Sequence, residues 1–199
     1  MPDSLWNRLQ LIDGVVETCG FGPITAGIRT TQLLARHNPH KVMLVGIAGS
    51  YRDRLPVATA ACFSRIACYG IGAGSGSRFQ SAGELGWPQW VDPQTGHSFG
   101  DVIHPVGESL DAESDRMLLS CCSASDGSGD IEDRLRRYPD AAAEDMEAFS
   151  VAMACQVASI PLTVIRGISN IAGDRNRANW KVSDALKAAA ELAMSRFSL

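Results

Sequence analysis

Pro161-Leu162-Thr163-Val164-Ile165-Arg166-Gly167-Ile168-Ser169-Asn170 decides the fold. Its apolar, β-branched run reads as a buried strand from Pro161 to Ile168, interrupted by one guanidinium. Upstream, Ala143-Glu144-Asp145-Met146-Glu147-Ala148 opens a helical pattern predicted to run from Glu144 to Ser159. Downstream, Lys181 to Phe197 reads as an amphipathic helix with Val182, Leu186, Ala189, Leu192 and Ala193 on one face. A buried strand between two helices is the unit of an α/β sheet covered on both sides.

The rest of the chain extends that pattern. Leu11 to Thr18 reads as a strand, Cys19 to Pro23 as a turn, and Pro23 as the first turn of a helix reaching His37. Lys41 to Val45 is a short apolar strand expected to end in the Gly46-Ile47-Ala48-Gly49 turn. Val57 to Tyr69 is extended, Met117 to Ser123 is a strand and Asp130 to Tyr138 a short helix. Gly70 to Gly100, rich in Gly, Ser, Trp and Pro, is expected to be an excursion with little regular structure. No internal repeat is visible, and one domain over residues 1–199 is expected. In such sheets pockets form where loops leave strand ends. Residues 46–49, 123–127 and 169–173 are therefore candidates for one site.

Composition removes several function classes. A net charge of -4 does not fit nucleic-acid binding, which needs a basic face. No apolar run approaches the roughly 20 residues needed to span a bilayer. Met1 to Trp6 has no basic region followed by an apolar stretch, so no signal peptide is expected there. The six cysteines (Cys19, Cys62, Cys68, Cys121, Cys122 and Cys155) include no Cys-x-x-Cys and read as reduced, buried thiols of a cytoplasmic protein. No metal site is expected, because His37, His40, His97 and His104 have no paired spacing. Gly70-Ile71-Gly72-Ala73-Gly74-Ser75-Gly76 lacks the dinucleotide spacing and the helix that should follow it. There is no Gly-x-Ser-x-Gly elbow.

At the rim of the sheet three polar groups collect: Glu147, Arg166 and Asn170. Glu147 alone reads equally as a solvated first-turn carboxylate complementing its helix dipole. Arg166 is harder to dismiss, since a buried guanidinium needs a partner, and a carboxylate such as Glu147 would serve. Asn170 reads either as a cap or as a group that hydrogen-bonds a base edge. Together they could grip a nucleoside, with Glu147 on sugar hydroxyls.

The segments Gly46-Ile47-Ala48-Gly49, Ala143-Glu144-Asp145-Met146-Glu147 and Arg166-Gly167-Ile168-Ser169-Asn170 resemble the nucleoside phosphorylase and nucleosidase superfamily, in order and spacing, from about Leu11 to the end. Within it, Gly173-Asp174-Arg175-Asn176-Arg177, Trp180 and Glu84-Leu85-Gly86-Trp87 look most like the futalosine hydrolase branch, which serves menaquinone biosynthesis. The resemblance implies an α/β fold, a three-layer α/β/α sandwich with a central mixed sheet, and hydrolysis of an N-glycosidic bond without a cofactor. It also implies roles for individual residues. Met146 packs on the ribose, Glu147 accepts from its hydroxyls, and Arg166 supports that carboxylate. Ser169 and Asn170 lie at the purine, Ala48 and Gly49 line the pocket, and Ala124 and Ser125 fall near a loop packing on the base. Relatives acting on 6-aminopurines usually carry Asp where this chain has Asn170. A carboxamide donates without needing protonation, which favours a 6-oxopurine. Where the superfamily's phosphorylases hold phosphate with Arg and Ser, this chain has Leu44 and Ile47, so water is the expected nucleophile.

The expected substrate is a small purine nucleoside, with futalosine first. A methylthioadenosine or adenosylhomocysteine type of nucleosidase, a purine nucleoside phosphorylase and a nucleoside-binding homologue without turnover remain alternatives. A homodimer or higher homo-oligomer is expected. The family's first strand, which carries a water-orienting Glu, should precede Leu11. Ser4-Leu5-Trp6-Asn7-Arg8-Leu9 reads instead as a helix end, so that strand and its base are expected to be missing, and Glu17 is the nearest carboxylate.

Overall fold

The computed structural model describes residues 14–106 and 115–197. Helix α1 (Gly22–His37) begins where Pro23 pre-sets the first turn and ends at Asn38 in the left-handed region, as its sequence predicts. The strands that follow are β1 (Val42–Ser50), β2 (Ala60–Phe63) and β3 (Arg65–Tyr69). The excursion carries only two-residue strands, β4 (Gly72–Ala73), β5 (Gln80–Ser81), β6 (Trp90–Val91) and β7 (Ser98–Phe99), and one 3-10 turn, and β8 (Val102–Ile103) follows it. Then come β9 (Met117–Cys121), α2 (Ser128–Arg137), β10 (Ala141–Asp145), α3 (Ala148–Val157), β11 (Leu162–Ile171) and α4 (Val182–Phe197).

Among the described residues, seven strands form one mixed sheet in the order β2-β11-β1-β10-β9-β3-β8. Pairs β1–β11, β10–β9 and β3–β9 are parallel, whereas β1–β10, β11–β2 and β3–β8 are antiparallel. Helices α1 and α3 cover one face through Ala26, Leu34, Phe149, Val151 and Ala152. The other face is covered by α4 over β11 and β1, through Leu186, Ala189 and Ala193, and by α2 over β9 and β10, through Leu135. This is the three-layer α/β/α arrangement, with the core in two apolar layers. No helix among the described residues is long and apolar enough to cross a membrane.

Four expectations need correction. The helix predicted from Glu144 is a strand through Asp145, and the helix starts only at Ala148. Alanine and glutamate favour helix locally, but this segment is buried on both sides between β1 and β9, and tertiary context overrides a preference of tenths of a kcal/mol per residue. Residues 46–49 are not a turn after β1 but its second half, and 169–171 are likewise still strand; parallel pairing of β1 with β11 carries both past their glycines. Of the strand expected over Leu11 to Thr18, residues 11–13 lie outside the described residues and 14–18 have no ladder; Val15 is largely exposed. Not every cysteine is buried: Cys122 is exposed and Cys19 half-buried, and all six are free thiols. The expected helix end at Ser4–Leu9 and the expected absence of the first strand fall on residues 1–13, outside the described residues.

Strand β1 is unusual for an inner strand. It pairs with β11 along its whole length, but with β10 only at Gly49↔Glu144 and Ser50↔Ala143. The Val42 N–H donates to Pro161 O, so Val42, Leu44, Gly46 and Ala48 turn their main-chain groups towards β11. Those of Met43, Val45 and Ile47 turn the other way, where no described strand pairs with them.

Candidate active site

Beside that half-open edge lies a cavity of about 730 Å³, lined by residues 14–21 on one side and 42–47 on the other, with Glu147 and Arg166 in its wall. Arg166 enters from β11, opposite Gly46 of β1 in the ladder. Gly46 is required there: a Cβ at that position would lie 2.1 Å from Arg166 Nη1. The guanidinium can yield only by swinging away from Asp145 towards the cavity it borders. Gly46→Ala is therefore expected to displace it and lower kcat/KM by about 10²-fold, as misplacement of about 1 Å does elsewhere. Steady-state kinetics check this, and an unchanged kcat/KM would remove Arg166 from the working site.

Arg166 has the expected carboxylate partner, Glu147, and a second, closer one in Asp145. Its Nη2 donates to Asp145 Oδ2 at the end of β10, while Glu147 Oε2 stands 3.7 Å away. Asp145 Oδ2 also accepts from the Ala148 N–H, the first of α3, at 3.0 Å. Arg166 and Asp145 thus neutralise one another in a nearly dry site. Sequence reasoning missed Asp145 as a member of this group. The available signal was an aspartate just ahead of a helix, where a short carboxylate can take one of the unpaired N-terminal N–H groups.

Glu147 remains comparatively uncommitted. Its Oε1 accepts from the Gly22 N–H at 2.9 Å, which sets the carboxylate at the N-terminus of α1, a position that favours negative charge. Burial pushes its carboxyl above the usual carboxylate range; the Gly22 N–H opposes this, Asp145 adds to it, and Arg166 opposes it. Met146 beside it is half-buried. Glu17 lines the same cavity, but its carboxylate faces Arg29 at 3.3 Å, His37 at 3.6 Å and Arg36 at 4.0 Å.

A second group sits further along the same two strands. The ladder slips by one residue between Ala48↔Ile168 and Gly49↔Asn170, leaving Ser169 as the bulged residue. Ser169 Oγ lies 3.3 Å from Ala48 O and 2.8 Å from Asn170 Oδ1, donating towards both, and Asn170 Nδ2 donates to Ile171 O at 2.8 Å. These contacts fix the carboxamide plane while leaving it one N–H and one lone pair. Ala48 and Gly49 are buried beside it. Of the loop residues, Ala124 is half-buried. Ser125 is fully buried with its hydroxyl on Glu144, so it presents no side chain to a ligand.

The sequence model of the phosphorylase superfamily matches residues 13–198. A 5'-methylthioadenosine/S-adenosylhomocysteine nucleosidase of Chromohalobacter salexigens is 26% identical over 167 residues, 83% of this chain and 70% of that protein. A futalosine hydrolase of Streptomyces coelicolor is 28% identical over 202 residues, 94% of this chain and 76% of that protein. Among solved structures, the Helicobacter pylori 5'-methylthioadenosine/S-adenosylhomocysteine nucleosidase with butyl-thio-DADMe-Immucillin-A superposes with a TM-score of 0.75 at 18% identity, covering 98% of this chain and 93% of that one. These homologues and structural neighbours are nucleosidases, N-glycosyl hydrolases.

Proposed function

The chain belongs to the phosphorylase superfamily, and from that premise we propose that it is a purine nucleosidase that hydrolyses the N-glycosidic bond of a 6-oxopurine nucleoside, futalosine first, releasing hypoxanthine. The observation that carries this reading is the division of labour between the two acids. Asp145 takes the hydrogen bond from Arg166, and Glu147, held by the Gly22 N–H and at ion-pair distance from the same guanidinium, keeps lone pairs for ribose hydroxyls. In glycosidic cleavage positive charge grows on the sugar, and hydrogen bonds to its 2-hydroxyl strengthen as it does. An ionised Glu147 therefore stabilises the transition state more than the substrate. Met146 is assigned to the sugar, and Ala48 and Gly49, which follow the lining residue Ile47 along β1, to the approach to the base. At the other end, the spare N–H of Asn170 donates to the departing base as negative charge collects there, with Ser169 holding the amide in place. The nucleophile is water: Leu44 and Ile47 on the cavity wall offer nothing to hold a phosphate dianion. Glu17, facing Arg29, Arg36 and His37, is given no step.

The relative from Chromohalobacter salexigens favours a second reading, in which the base is adenine and the sugar carries a 5'-thioether. The proposed assembly is a homodimer in the cytoplasm; Phe21, Ile24 and Ile28 form an exposed apolar stripe on and beside α1 suited to a second copy.

The test is base release from futalosine, inosine and methylthioadenosine, with and without phosphate, followed by chromatography. Hypoxanthine from futalosine irrespective of phosphate is the expected result. Adenine from methylthioadenosine alone establishes the second reading, phosphate dependence establishes a phosphorylase, and no base from any substrate leaves a binding homologue.

A further inference from the structure

Directly before Asp145, and turned to the opposite face of β10, lies a second buried carboxylate that the chemistry above does not use. Glu144 is 6% exposed and accepts four hydrogen bonds. Ser125 N at 2.8 Å and Ser125 Oγ at 2.6 Å reach Oε1; Tyr51 Oη at 2.8 Å and Arg134 Nη1 at 2.5 Å reach Oε2. The same guanidinium donates from Nη2 to Ser123 O at 3.1 Å and lies over the Tyr69 ring at 5.1 Å.

Resting on the nucleosidase reading, we propose that Glu144, with Arg134 and Tyr51, is a positioning residue that freezes the 122–127 loop into a wall for the base. A buried ion pair adds little stability over an apolar pair of the same shape, so its use here is geometric. It fastens the loop at two points, the Ser123 carbonyl and the Ser125 N–H, and the residue between them is the half-buried Ala124. The far end of the loop is fixed as well. Gly127 packs so closely on Gly173 that a Cβ on Gly173 would lie 3.2 Å from Gly127 N and O. Gly173 follows Asn170 by three residues, so the clamp ties the loop to the carboxamide assigned to the base. Loops without such anchors open locally at small cost. With the loop held, a base finds its wall preformed and pays no ordering entropy on binding.

The test compares Tyr51→Phe, which removes one donor and keeps the ion pair, with Glu144→Gln, which sets an amide against the Arg134 donors. Two quantities are measured: amide hydrogen exchange over 122–127 in the free protein, and base affinity, read as KM for the nucleoside and Kd for free hypoxanthine. In Tyr51→Phe, exchange and both affinity constants are expected to rise by about tenfold, the value of one hydrogen bond to a charged group, with kcat unchanged. Glu144→Gln should do the same more strongly. Unchanged exchange overturns the clamp. Faster exchange with unchanged Kd makes it a fold element only and overturns the positioning role. A wild-type protein that binds hypoxanthine but cleaves nothing defeats the nucleosidase reading and leaves the clamp to be decided by exchange and Kd; one that binds no base overturns both.

Discussion

Glu147→Gln is expected to lower kcat on the nucleoside by about 10²–10³-fold, the usual cost of removing one preorganised group that faces developing charge. The substitution keeps the shape. A carboxamide oxygen still accepts from the Gly22 N–H, and Arg166 retains Asp145. What disappears is the negative charge, which matters only as the sugar becomes cationic, so KM should move much less than kcat. The pH profile carries the same information. Burial raises the Glu147 carboxyl, so wild-type kcat/KM should fall on the acid side through a midpoint above the ordinary carboxylate range, and the Gln variant should lack that limb. The sign for stability is opposite. A carboxyl whose folded pKa lies above its unfolded one contributes most below the unfolded value and loses that contribution as pH rises through the folded value. At neutral pH the Gln variant should therefore melt no lower than wild type, and the two curves should converge in acid. Rate profiles and thermal melts check both halves, and an unchanged kcat would take Glu147 out of the chemistry.

Gly167→Ala should have the largest effect on the fold. Gly167 sits on the α4 side of β11, where a Cβ would lie 2.0 Å from Ala185 O and 2.5 Å from Ala185 C. These are main-chain atoms in the first turns of α4, so relief requires the helix to lift from the sheet that buries Ala185, Leu186 and Ala189. We expect a loss of at least about 3 kcal/mol, the upper end of ordinary overpacking costs. That corresponds to a fall in Tm of about 6–12 °C for a chain of this size. Gly129→Ala in α2 is the control. Nothing lies within 4 Å of a Cβ there, and the melt should stay level or rise slightly. Equal melts for the two variants would contradict the packing of α4 on β11.

The sequence reads well where local chemistry and tertiary role agree. Pro23 marks the start of α1, and the apolar run to Ile168 marks β11, because each carries its own signal within a few residues. It reads badly at Ala141–Asp145, where three alanines and two acids look helical and only the neighbouring strands make them β. The site follows the same rule. Met146-Glu147 and Arg166 with Ser169-Asn170 are short contiguous signals. That Asp145 joins Glu147 at Arg166, and takes the closer contact, depends on where two strands end side by side, and no local spacing records it. The four bonds to Glu144 are still less legible, since their donors come from Tyr51, Ser125 and Arg134, on three separate segments.

The brief contact between β1 and β10 has a mechanical meaning. Among the described residues the sheet has two plates, β2-β11-β1 and β10-β9-β3-β8, whose main-chain ladder joins them at two residue pairs. Across that seam the plates are stitched by side chains: Arg166 to Asp145, Tyr51 to Glu144, and Arg54 to the carbonyl of Ala141. Gly49 and Asn170 stand on one plate; Met146 and Glu147 leave the end of the other. A nucleoside gripped at both ends would bridge the seam like a rivet, so occupancy of the site should be felt as stiffness across the whole sheet.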